Sequence, residues 1–94
     1  MEVVWTDEAL ADLEDILAYY HLEVGLRVAH AVHRRIVSEI EALPPYAERI
    51  RQSDRVPGMR EGVVNKLPYV VFVTLLSDAV IVLNIVHTAR KFPS

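Results

Sequence analysis

The chain has 94 residues, 52% of them apolar, a mean hydropathy of +0.22 and a formal net charge of -3. That length has room for one hydrophobic core, so a single domain over 1–94 is expected. With no cysteine there is neither a disulfide framework nor thiolate chemistry, and the opening Met-Glu-Val-Val-Trp has no positive region of a secretory signal, so a cytoplasmic protein is expected.

The charges are segregated. Residues 1–24 hold seven acids and no Lys or Arg, whereas the following 70 residues hold all ten Lys and Arg against six acids. Local potential, more than net charge, steers partners, so two faces with different partners are one consequence; a helix with a solvated acidic side is the other.

In chain order, Glu2 to Trp5 is a short β-branched run ending in an aromatic, and reads as a strand. Thr6 offers an N-cap hydroxyl, and Asp7 and Glu8 follow where the helix dipole favours negative charge. Leu10, Leu13, Ile16, Leu17 and Tyr20 recur at helical spacing, with Asp12, Glu14 and Asp15 expected on the outer side. Gly25 interrupts the pattern. A second helix then places Val28, Val32, Ile36, Ile40 and Leu43 on one face and ends at Pro44-Pro45. So short a break makes the helices an antiparallel hairpin. His30 and His33 lie one turn apart, but spacing sets no third ligand beside them, so a solvated face is expected and no metal or other cofactor.

Tyr46 to Arg55 reads as a polar link containing Arg49, Arg51 and Arg55, either an exposed loop or a basic rim beside a site. Met59 to Val64 is the next strand. The apolar run Tyr69 to Val86 approaches the length of a membrane span, but Ser77-Asp78 at its middle is turn chemistry, and an aspartate there would be costly in a bilayer. The run therefore divides into strands Tyr69–Leu76 and Ala79–Val86, which complete a three-strand antiparallel meander. The expected fold is α+β: strand, antiparallel helical hairpin, then meander, in one small sheet.

Both alternating faces of Tyr69–Leu76 are apolar, as in a strand covered twice. The hairpin covers one face. For the other, the chain offers no evident cover, so either the sheet curls on itself or a partner lies there.

Arg60 opens the first meander strand, His87 closes the third and Arg90 follows it. We expect the three to meet at one end of the sheet, where two guanidiniums could hold a phosphate and the imidazole could transfer a proton. Glu61 points to the opposite face by alternation, which leaves Glu48 as an unplaced candidate base. Gly-rich phosphate loops and the GxSxG motif are missing from the sequence.

Three stretches, WTDEALADLEDILAYY, GMREGVVNKLPYVVFV and VIVLNIVHTARKFP, in that order and spanning nearly the whole chain, resemble the RelE/ParE superfamily of bacterial toxins, also called plasmid-stabilisation proteins. The resemblance implies the toxin of a type II toxin-antitoxin pair, neutralised by a cognate antitoxin that wraps it. The antitoxin would lie over the apolar sheet face and the helical hairpin, and operator DNA would be reached only through it. In the RelE-like branch such proteins are ribosome-dependent mRNA endonucleases, and Arg60, His87 and Arg90 would be the catalytic set. In the ParE-like branch they poison DNA gyrase without being nucleases. Thr88 stands where the nuclease branch places an aromatic, a Lys-rich ribosome-facing surface is missing and the first helix is strongly acidic. The resemblance therefore leans to the ParE-like branch; a non-toxic binding module of the same fold is a further alternative.

Overall fold

The computed structural model describes residues 1–89. Its elements in chain order are β1 (Glu2–Trp5), α1 (Asp7–Glu23), α2 (Leu26–Glu41), a 3-10 turn (Pro44–Arg49), β2 (Arg51–Gln52), β3 (Arg60–Val63), β4 (Tyr69–Leu75) and β5 (Ala79–His87). The expected α+β order of strand, helical hairpin and meander is present. The strands form one sheet in the order β1-β5-β4-β3-β2, with β1 parallel to β5 and the other neighbours antiparallel.

Thr6 starts α1 as its sequence position predicts: Oγ1 accepts from the Ala9 amide at 3.1 Å. The same hydroxyl donates to the Val82 carbonyl at 2.7 Å, so one side chain both caps the helix and ties it to β5. Gly25 begins α2 at φ +133, a conformation that favours glycine, and this lets the chain reverse across the Val24-Gly25 break. The two helices lie together on one face of the sheet. There Leu13, Ile16, Val32, Ile36 and Ile40 meet Val71, Val73, Val80, Val82 and Ile85 in a continuous core. Ile36, Ile40, Val80 and Val82 are fully buried, each worth about 1.5–3 kcal/mol of transfer free energy.

Two positions of α1 differ from their expected sides. Leu10 is exposed, because a step of 100° from Ala9 carries it off the buried stripe of Ala9, Leu13 and Ile16. Asp12, expected outside, is half-buried and faces the sheet, where Oδ2 accepts from the Ile85 amide at 2.9 Å and Asn84 Nδ2 at 3.2 Å. Those bonds meet β5 beside an irregularity: Phe72 pairs with Asn84 while Val73 pairs with Val82, leaving Leu83 as an extra residue. Such a bulge resets alternation, so Val80 and Val82 point to the helices and Ile85 does too, three residues later.

The second face of the sheet is covered from within the chain, contrary to the sequence expectation. The stretch read as a polar link holds the 3-10 turn and β2, and from Ser53 to Met59 it forms a strap against Val70, Phe72 and Val86 through Val56 and Met59. Phe72 is fully buried there. The strap closes on itself through the Ser53 amide to the Met59 carbonyl at 2.8 Å, and Gly58 at φ +82 makes its final turn. Cover is incomplete at the rims, where Val63 is 75% exposed at the end of β3 and Leu76 is exposed beyond β4.

Candidate functional site

The three residues expected to share a phosphate site do not form one group. Arg60 pairs across β3–β4 with Val73, whereas His87 pairs across β4–β5 with Tyr69. Four residues of β4 separate those levels, about 13 Å along the strand. The expectation of convergence fails because two reversals return the third strand to the direction of the first, so its end lies opposite the first strand's start. Arg90 lies outside the described residues.

Around Arg60 the guanidinium is occupied by the main chain: Nη1 donates to the Ile50 carbonyl at 2.8 Å and to the Glu48 carbonyl at 3.2 Å. These bonds fasten the end of the 3-10 turn to the sheet. They leave Arg60 on the wall of an open depression shared with Gln52, Pro57, Thr74 and Leu75. Glu48 is itself exposed and meets Arg60 through its carbonyl oxygen.

Glu61 points to the strap face, as alternation predicts, and organises it. It is the one buried charged side chain among the described residues. Arg55 donates to it through Nη2 at 2.8 Å and Nε at 3.3 Å, Arg51 approaches at 3.5 Å, and the Ser53 hydroxyl donates at 2.5 Å. Ser53 Oγ in turn accepts from the amides of Arg55 and Val56. The Arg55 guanidinium sits 5.2 Å from the centre of the Phe72 ring, a cation-π arrangement. The hydrogen bond from Arg55 holds the Glu61 carboxyl below the ordinary glutamate range against the opposing effect of burial. Of the link that reads either as an exposed loop or as a basic rim, Arg55 is drawn onto this carboxylate, whereas the Arg51 side chain stays largely exposed and is shared between Glu61 and Asp54.

At the other end of β4, His87 is exposed and its ring lies edge-on to Tyr69, with centroids 5.5 Å apart. Its Nδ1 accepts from the Ala89 amide at 3.1 Å. Asp12, Asp15, Ile16, Tyr19, Tyr69, Ile85 and His87 line a cleft of about 180 Å³ between α1 and the end of β5. Burial and the neighbouring Tyr20 push the Tyr69 phenol well above its ordinary range, so it is a neutral donor. The bulge in β5 accounts for the position of His87: without the extra residue, alternation from Val82 would place it on the strap face. Sequence reasoning had no signal for that bulge, nor for Asp12 as its anchor.

The cleft therefore has two carboxylates, two phenols and an imidazole, without a described cation, and suits a partner's positive or hydrogen-bonding group better than a phosphate. Among the described residues no group of three or more His, Cys, Asp or Glu is placed to hold a metal ion, and no helix is long and apolar enough to cross a membrane.

Comparison with known proteins gives two findings and one blank. A family model described as the ParE toxin of the type II toxin-antitoxin system, parDE, matches residues 3–92. A solved structure of the chromosomal ParDE TA system from P. aeruginosa superposes with a TM-score of 0.85 at 27% identity, covering 93% of this chain and 95% of that one. No curated protein matches.

Proposed function

Because the chain belongs to the ParE toxin family of type II toxin-antitoxin systems, we propose that it arrests growth by binding DNA gyrase, and that a cognate antitoxin neutralises it by direct contact. The observation that carries the choice of target is the separation of Arg60 from His87. General acid-base cleavage of RNA needs a phosphate-holding cation and a proton-transferring group within reach of one phosphodiester. Here they sit at opposite ends of β4, and Arg60 is engaged by two main-chain carbonyls. A protein that stabilises a complex with its target requires a complementary surface and no such assembly.

The antitoxin reading rests on surface character. Exposed Val63, Leu76 and Val4 rim the strap-side face, and Leu10, Tyr19 and Leu22 stand out from α1. A disordered segment that folds on contact covers dispersed apolar positions of this kind. Action in the cytoplasm, where gyrase and DNA are found, belongs to the same proposal.

Purified chain added to a gyrase supercoiling reaction is expected to inhibit supercoiling and to accumulate cleaved DNA, and prior addition of antitoxin is expected to abolish both. Unaffected supercoiling combined with cut mRNA in arrested cells would replace this reading with the nuclease one. The joint substitution of Arg60, His87 and Arg90 by alanine separates the two independently: growth arrest that survives it excludes the proposed nuclease set. A chain whose expression alone leaves growth untouched would instead be a binding module.

A further inference from the structure

The basic part of the segregated charge concentrates on α2, whose residues 26–38 hold three arginines, two histidines and no acid. A depression lined by Leu17, Ala18, His21, Leu26, Ala29 and His30 marks the flank of α2 that faces α1. On the opposite flank Arg35 borders a depression with Ala31, Val32, Lys66 and Leu67, and an adjoining one continues it through Arg34, Ser38 and Glu39. Arg27, Ala31, Arg34 and Ser38, spaced by four, three and four residues, form the exposed outer stripe of the helix. The turn between β3 and β4 sets Lys66 beside it. Lys66 has a left-handed φ of +67, and Glu39 Oε1 accepts from the Asn65 amide at 2.9 Å, which fastens that turn to α2. The same bond engages the one carboxylate that lines these two depressions. Among the described residues the ion pairs are Arg51–Asp54, Arg51–Glu61 and Arg55–Glu61, so Arg27, Arg34, Arg35 and Lys66 take part in none. Asp12 and Asp15 of α1 are turned away, into the cleft against β5.

We propose that these four cations form a contact surface for the phosphate backbone of duplex DNA. A phosphate strand requires cations and close approach, whereas a peptide that folds on contact requires apolar anchors. The stripe supplies the first and not the second. Ala31 and Ser38 stand between and beyond its arginines, small enough to let a backbone approach, and Ser38 adds a hydroxyl donor. The large apolar side chains exposed on α2, Leu26 and Val28, lie in its first turn. From Arg27 to Ser38 the stripe runs about 16 Å, which matches about four to five phosphates of one strand. The choice of DNA among polyanions rests on the gyrase reading, because that target acts on DNA. A chain bound there by its other faces would touch enzyme and duplex at once.

Fluorescence anisotropy of a labelled duplex, titrated with the purified chain and without gyrase, tests this. Micromolar binding is expected at about 50 mM salt, weakening on the order of a hundredfold by about 200 mM, the dependence that about four phosphate contacts impose. Arg34→Gln with Arg35→Gln should weaken binding about tenfold and lower the salt slope by about 2, and Lys66→Gln should lower it by about 1. All three positions are exposed, so circular dichroism should remain that of the folded chain. Arg49→Gln removes an exposed charge between the two carbonyls that hold Arg60, away from this face, and should leave binding unchanged. A chain that leaves the duplex free at about 100 μM overturns the proposal. So does a loss with Arg49→Gln as large as with the arginine pair. Tighter binding to polyglutamate or to single-stranded RNA would give the face to an acidic peptide or to RNA, and overturn DNA as its occupant. Gyrase inhibition by a chain that does not bind the duplex would defeat this inference alone, and duplex binding by a chain that leaves supercoiling intact would defeat the gyrase reading alone.

Discussion

Where the helices lie on the sheet, aliphatic side chains pack into a core whose residues come from both helices and three strands; beneath the strap, a small cluster around Phe72 shares its face with the carboxylate of Glu61. The first region is stabilised by burial, which is non-directional and tolerant of exchange among residues of similar volume. The second depends on directed bonds to one charged group, so it is sensitive to protonation and to single-atom changes. A small domain thus has a face that fails only with the whole fold and a face that can open by itself.

The largest effect that would test this contrast is expected at Ile36. Ile36→Ala should lower the unfolding free energy by about 2–5 kcal/mol in urea titration, with all probes moving together. If hydrogen exchange instead showed loss confined to α2, the helix-covered core would not be one cooperative unit.

Glu61→Gln comes next, with an expected loss of about 1–3 kcal/mol, since the carboxylate's charge-assisted bonds are replaced by weaker ones in a buried site. Its signature is local. Amides of Ser53 to Met59 should exchange faster while those of β4 and β5 keep their protection. A uniform change across the sheet would mean that strap and core are coupled.

Acid should reproduce that local loosening in the wild type. The folded Glu61 carboxyl is depressed, so its contribution is present above the ordinary glutamate value near pH 4.3 and disappears as pH falls through the lower folded value. Arg55 is held charged by its bond to Glu61, and Ser53 does not titrate there, so the strap amides should lose protection below about pH 4 in wild type and show no such step in Glu61→Gln. A step of equal size in both would assign the acid response to another carboxylate.

The smallest effect is expected at Thr6. Thr6→Ala removes the cap on Ala9 and the bond to Val82, for about 1–2 kcal/mol in thermal or urea unfolding, and should loosen the start of α1 first. Thr6→Ser, which retains the hydroxyl, should recover most of it.

Much of this molecule was legible in residue order. Periodicity at Leu13, Ile16, Val32, Ile36 and Ile40 marks the helical faces, Thr6 and Gly25 mark where helices begin, and Ser77-Asp78 divides one long apolar run into two strands; each is a local rule acting over a few residues. Alternation alone placed Glu61 opposite Arg60. The family too was carried by three stretches in order, because they encode the same local elements. Tertiary structure decided the rest: the strap over Phe72, the anchoring of Asp12, the extra residue in β5 and the distance between Arg60 and His87. Those depend on pairing register and on contacts between residues as far apart as Asp12 and Ile85, where one inserted residue turns a side chain to the other face of the sheet. Sequence spacing lists which groups could do chemistry; which of them meet is set by strand direction and register.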